Sequence, residues 1–296
     1  MLANESRTAA AYCAGKRRDN DVLSLPDENF TRHADFDLRL LPAVELMHSR
    51  RLSLQALMWE WQRRDMAYAA FAAQTSPTLA SVEGTVTCLH MTSQHDAHHW
   101  GCLFAERADM PAAIARLFWT AERDPAVLSV SARPAPTGLE NSLEVRRLAE
   151  RVVLLSDNKG KEQLLVGSAA SSLRLDICDG TLRDGPVALT YHVPGFSAAA
   201  PQLRTIALLH HLQRYLCLPP APLLSRQIWH REISRLVAYD ALSQGASQRE
   251  IGKLIFGQAA VVDGWDGHTD RVRSFVRRVI RDARRLASGG YRYMLH

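Results

Sequence analysis

Between Val152 and Val193 the apolar residues recur at every second position, and beyond Pro194-Gly195 they recur at helical spacing. Side chains alternate across a strand and repeat every 3.6 residues along a helix, so this one change of period separates two kinds of packing. RVVLL, EQLLVGS, SLRLDI and VALTYHV read as strands, divided by DNKGK, Ala-Ser and DGTLRDGP turns. In LRLDI, Leu173, Leu175 and Ile177 face one way while Arg174 and Asp176 face the other, which predicts a small antiparallel sheet with one wet face. A helix, PQLRTIALLHHLQRYL, and a proline-rich link, LPPAPLL, follow. From Ser225 the chain reads as mostly helical.

Upstream the pattern is weaker. Residues 1–50 carry a Lys16-Arg17-Arg18 run and few periodic apolar positions, and are expected to be a flexible segment. Across residues 51–75, Leu54, Leu57, Trp61, Tyr68 and Phe71 recur near helical spacing until Pro77. MPAAIARLFWTAE reads as a helix and AVLSVSA as a strand. The expected fold is α+β, with an N-terminal α/β module over 51–140 and a regulator module over 141–296. The second holds a small antiparallel sheet (strands within 150–194) and a C-terminal helix-turn-helix bundle (200–296). No internal repeat of 20–50 residues is present.

Charge divides the chain in the same place. The formal net charge is +5, but residues 226–296 hold 13 lysines and arginines against 7 aspartates and glutamates, and the rest hold 23 against 24. A basic module on a near-neutral body points to an anionic partner, nucleic acid first, although an arginine-rich solvated surface has the same composition. No run of 18 apolar residues predicts a membrane span, and the N-terminus lacks a secretory pattern. Five scattered cysteines without a CxxC pair predict reduced thiols and a cytoplasmic protein.

The basic quarter has internal grammar. A helix over about 227–244 meets Gly245, which suits the left-handed position that ends a helix. Ser247 and Glu250 form an S-x-x-E capping box that starts a second helix, with Ile251, Leu254 and Ile255 as its apolar stripe and Gly257 at its end. This is the front half of a helix-turn-helix. The third helix is TDRVRSFVRRVIRDARRLASGG. Val272, Phe275, Val276, Val279, Ala283 and Leu286 fall within one arc, with Ile280 at its edge. Arg271, Arg273, Arg277, Arg278, Arg281, Arg284 and Arg285 take the other side, diluted by Asp270 and Asp282. Like charges three and four apart disfavour an isolated helix, so this face asks for an external anion. The DNA-contacting set expected from these motifs is Ser247, Gln248, Arg249, Lys253, Thr269, Arg271, Arg273, Ser274, Arg277, Arg278, Arg281, Arg284 and Arg285. Arg273 and Arg277 are placed to read bases, and Arg284 and Arg285 to touch backbone. The link from Gln258 to His268 is longer than the usual turn.

QGASQREIGKLIFG, Trp265 and RVRSFVRRVIRDARRLASGGYRYML resemble the C-terminal module of proteobacterial regulators of integrative and conjugative elements, the FseA-type activators and QseM-type antiactivators. LRLDICDGTLRDGPVALTYHV, HHWGCLFAERADMPAAIARLFW and MWEWQRRDMAYAAF extend the resemblance over roughly residues 55–296. It implies a transcriptional activator of excision and transfer genes that works with RNA polymerase or other transcription machinery and answers to a small antiactivator protein. Gly252 stands where that helix is expected to carry alanine. The segment with Trp59, Trp61, Arg63, Arg64 and Tyr68, which short members lack, is the expected partner-binding face, unless those aromatics build a core. A homodimer is compatible with this organisation.

Other candidate motifs carry weaker signals. Cys88, His90, His95, His98, His99 and Cys102 lie within fifteen residues, but their spacing matches no zinc finger or ribbon. Asp176, Asp179 and Asp184 surround two DG pairs, which favour turns over paired acid-base carboxylates. No nucleophile elbow, Walker loop or dinucleotide fingerprint occurs. The expectation is a non-enzyme without cofactor or metal. A sequestering antiactivator is the second reading, and a zinc or carboxylate enzyme the third.

Overall fold

The alternating segments do pair, in a wider sheet than the pattern foretold. In the computed structural model the described residues are 43, 46, 53–75, 78–91, 96–136, 142–168, 171–195, 199–220, 224–258, 261, 265 and 271–294. The strands are β1 (Thr78–Glu83), β2 (Val86–His90), β3 (Leu128–Pro134), β4 (Ser142–Leu143), β5 (Val152–Ser156), β6 (Glu162–Gly167), β7 (Ser172–Asp179) and β8 (Val187–His192). They form one eight-stranded sheet in the order β1-β2-β5-β6-β7-β3-β8-β4. β2 lies parallel to β5 and β3 parallel to β7, while the other neighbours are antiparallel. The fold is α+β, and the sheet runs across the module boundary expected at residue 140. The chain divides into two compact units, one over Ser53–Ala221 and one over Pro222–Met294, the latter including Ala43 and Leu46.

Both faces of the central strands are covered, which corrects the expectation of a wet face. Val152, Leu154, Leu164, Leu173, Leu175 and Ile177 join one core with Leu209 and Leu212 of helix α3 (Ala199–Tyr215). Val153, Leu155 and Leu165 join another with Leu89, Phe104 and Phe118. Alternation is preserved, but what lies over the second face is chain rather than water. Arg174 therefore sits inside at 4% exposure, ion-paired to Asp176 at 2.7 Å and stacked over Phe118.

The covering segment is irregular where a helix over MPAAIARLFWTAE was expected. Carboxylates from outside the segment hold its backbone instead. Ala112 N–H donates to Glu60 Oε1 at 2.8 Å and Arg116 N–H to Glu106 Oε2 at 2.9 Å. The Arg116 guanidinium closes a two-point pair on the same Glu106, and Trp119 bridges back to Cys102.

The helical stretch at 51–75 is two helices, α1 (Leu54–Gln62) and α2 (Met66–Ala72). Ser53 caps the first and Asp65 the second, and the Asp65 cap marks the break between them. The partner-binding face expected here is an interior instead. Trp59, Trp61 and Tyr68 are almost fully buried. Trp59 Nε1 donates to Met110 O at 2.9 Å and the Tyr68 hydroxyl to Glu106 O at 2.7 Å. Arg63 and Arg64 close on the buried Glu60 at 2.7 and 2.6 Å. Burial alone raises the Glu60 pKa, but Arg64 and Arg63 outweigh it and hold the carboxyl below its ordinary range.

Residues 1–50 apart from Ala43 and Leu46 lie outside the described residues, as do Pro77 and His95. Among the described residues no group of three or more metal-binding side chains converges. Cys88 and Cys102 are buried thiols, and burial pushes Cys102 up to about 12. His90 meets Ser156 at 3.3 Å, while His98 and His99 are exposed. Cys178 is a free, exposed thiol. The first DG pair ends β7 and the second lies in the bend before β8. An added Cβ on Gly180 would stand 1.9 Å from Ala132 O, so only glycine fits there.

Candidate nucleic-acid interface

Three helices build the second unit, α4 (Arg226–Ser243), α5 (Gln248–Phe256) and α6 (Arg271–Ala287). Ser225 caps α4, its hydroxyl accepting from Ile228 N–H. The buried face of α4 carries Trp229, Ile233, Leu236, Val237 and Ala241. It ends as the glycine required. Gly245 has φ +89°, its N–H donates to Leu242 O, and Ala246 N–H donates to Ala241 O, the paired bonds of a Schellman stop. Asp240 is buried and accepts from Ala43 N–H at 2.9 Å.

The capping box of α5 is formed. Ser247 N–H donates to Glu250 Oε2 at 2.7 Å, and Glu250 N–H donates to the Ser247 hydroxyl at 3.3 Å. The side chain and backbone of Ser247 together hold the Glu250 carboxyl below its ordinary range. Ile251 and Leu254 are buried. Gly252 has a packing reason, since an added Cβ would stand 3.0 Å from the Trp265 ring and 3.4 Å from Val261. Glycine here weakens a helix by about 1 kcal/mol against alanine. It admits an indole that is itself 9% exposed. Within the link between α5 and α6, the described residues Gln258, Val261 and Trp265 are helical rather than loop.

Helix α6 buries Val276, Val279, Ile280, Ala283, Leu286 and Ala287. Two expectations shift by one edge of the stripe. Ile280 is inside, while Phe275 is 36% exposed. Arg271, Ser274, Arg278, Arg281 and Arg285 are exposed at alternating three- and four-residue spacing, so they form one line opposite the buried stripe. Arg277 and Arg284 are exposed beside it. Among the described residues Arg271, Arg277, Arg284 and Arg285 meet no carboxylate, and Arg281 reaches Asp282 only at 3.7 Å. Asp282 turns inward to Arg235 at 3.1 Å.

The expected residues thus divide. Gln248 and Arg249 are exposed at the start of α5, and Lys253 is half-buried one turn on. Ser247 is exposed, but its hydroxyl serves the cap. Arg273 is half-buried, donates to Trp265 O at 3.0 Å and stacks over that ring, so it is a packing residue more than a reader. Thr269 lies outside the described residues. Sequence reasoning missed the exposed Phe256–Phe275 pair. The available signal was Ala287, which draws the centre of the apolar arc toward Ile280 and away from Phe275.

A helix, a glycine turn, a capped second helix and a later helix with an outward arginine line resemble the arrangement of helix-turn-helix units. Residues 195–296 match the RovC DNA-binding domain family, described as a T6SS transcription-factor DNA-binding domain. The chain therefore carries a DNA-binding domain of the transcription-factor class in its last third. The match includes α3, which packs on the sheet. No curated protein matches the chain. Among the described residues no helix is long and apolar enough to cross a membrane.

Proposed function

We propose that this protein is a transcriptional activator that binds double-stranded DNA in a sequence-directed way, with α6 laid in the major groove. The observation that supports this reading is the outward line of Arg271, Ser274, Arg278, Arg281 and Arg285 within the segment matched by a transcription-factor domain. Guanidinium groups meet phosphates and guanine edges with paired N–H donors, and the fold supplies these few internal acids. Gln248 and Arg249, at the start of α5, take backbone phosphates. In this reading the protein is a cytoplasmic regulator, not an enzyme. Its sheet unit contacts RNA polymerase or receives a small antiactivator protein, and a homodimer binds paired half-sites.

The family match favours type VI secretion genes as targets. The resemblance of QGASQREIGKLIFG and the arginine helix to regulators of integrative and conjugative elements favours excision and transfer genes. Genome-wide immunoprecipitation with footprinting of the enriched fragments, set beside transcript levels with and without the protein, decides among these. Enriched promoters whose transcripts fall when the protein is deleted support activation. No enriched fragment, together with capture of another regulator, moves the antiactivator reading ahead.

A further inference from the structure

Phe256 closes α5 and Phe275 lies in the second turn of α6, and both rings stand in water at 39% and 36% exposure. They meet edge to face with centroids 5.0 Å apart. The Arg278 guanidinium carbon lies 5.6 Å from the Phe275 centroid. The core does not need this pair, because Val276, Val279, Ile280, Ala283 and Leu286 already fill the buried side. Arg271 and Ser274 precede it and Arg281 follows it, all exposed.

An apolar spot ringed by guanidinium groups is a poor seat for an apolar protein surface, which would strip water from those charges without supplying acids. It fits the major groove, where phosphates surround a floor whose apolar group is the thymine methyl. Arginine held over an aromatic ring also loses less freedom when it meets a planar acceptor pair. We propose that Phe275, braced by Phe256, reads a thymine methyl while Arg278 takes O6 and N7 of the adjoining guanine. This helix then selects a thymine beside a guanine. The inference rests on the DNA-binding reading above.

The test uses the full chain and a duplex that it selects from a random pool at fixed salt. Each thymine of that duplex is replaced in turn by deoxyuridine, which removes only the methyl. Binding is measured by fluorescence anisotropy for the wild type, Phe275→Ala and Arg278→Ala. We expect one thymine beside a guanine whose replacement weakens wild-type binding about fourfold, the worth of one buried methyl group. We expect Phe275→Ala to bind the thymine and deoxyuridine duplexes alike. The proposal is overturned if no deoxyuridine position matters to the wild type, or if Phe275→Ala keeps the methyl preference. If Phe275→Ala does not fold, the wild-type series alone decides. Should the wild type select and bind no duplex, the DNA-binding reading fails and takes this inference with it. Should it bind DNA without methyl sensitivity while Phe275→Ala dissociates a dimer in gel filtration, the pair is a contact between copies.

Discussion

Arg63-Arg64 and Arg277-Arg278 are both adjacent arginine pairs at helices with an apolar side, yet they do opposite things. In the sheet unit the side chains of Arg63, Arg64 and Arg174 are 9%, 6% and 4% exposed, and each closes on a carboxylate within 2.7 Å. In the helical unit Arg277 and Arg278 are exposed and, among the described residues, pair with no acid. The difference lies one turn back along the chain. Glu60 precedes Arg63 and Arg64 by three and four residues, and its second oxygen is held by Ala112 N–H. The residues one turn before Arg277 and Arg278 are Arg273, Ser274 and Phe275. A guanidinium with an internal acid becomes structure, because removing the acid would leave a buried charge. One without an acid stays outside, open to solvent and to any external anion.

Breaking the internal set has the largest expected effect. Glu60→Ala leaves Arg63 and Arg64 without their partner and costs roughly 3–5 kcal/mol in chemical denaturation. The pH dependence carries the same signature. A carboxyl held low in the folded state contributes stability that is complete above its unfolded pKa and is lost as pH falls through the folded value. Glu60 therefore strengthens the fold above about pH 4.3 and ceases to do so in stronger acid, and Glu60→Gln flattens that part of the acid-unfolding curve.

Breaking the external set moves binding instead. Arg278→Ala costs about 1–3 kcal/mol at the preferred site and relaxes specificity there, with the melting temperature held. Smaller again is the cap. Ser247→Ala removes the acceptor of Glu250 N–H and lowers stability by about 1 kcal/mol in thermal melts. Phe275→Ala sharpens the comparison from the other side. As a stripe residue it would cost roughly 3–5 kcal/mol. At 36% exposure it costs under about 1.5 kcal/mol, so a full core penalty on melting would return that ring to the interior.

The helical unit was the more legible of the two because its signals are local. Gly245, the Ser247–Glu250 box and Gly257 act within a turn or two of themselves, and each starts or ends a helix as its neighbours imply. The four strands from Val152 to His192 were legible for the same reason, since alternation is read along one strand. What covers the sheet was not. Ala112 and Arg116 give their N–H groups to Glu60 and Glu106, partners 52 and 10 residues away, and no helical period over 110–122 records that. Trp59, Trp61 and Tyr68 looked like a face because a helix wheel shows which residues share a side, not what packs on it. Arg273 was misplaced for a related reason, since Trp265, on another segment, draws it inward. Phe275 was misplaced within its own helix, where the buried arc that includes Ile280 and Ala287 leaves it at the margin.

The most direct test of the account is the salt dependence of DNA binding, because each phosphate contact contributes about one to the slope of log affinity against log salt. The full chain, Arg284→Ala, Arg285→Ala and Arg63→Ala are titrated on a selected duplex and on a scrambled one, with thermal melts beside them. The account predicts that each α6 substitution lowers the slope by about one on both duplexes at unchanged melting temperature. Arg63→Ala lowers the melting temperature and leaves the slope of the folded protein as it was. Slopes of Arg284→Ala and Arg285→Ala that match the parent at every salt concentration would contradict it, and would remove α6 from the DNA.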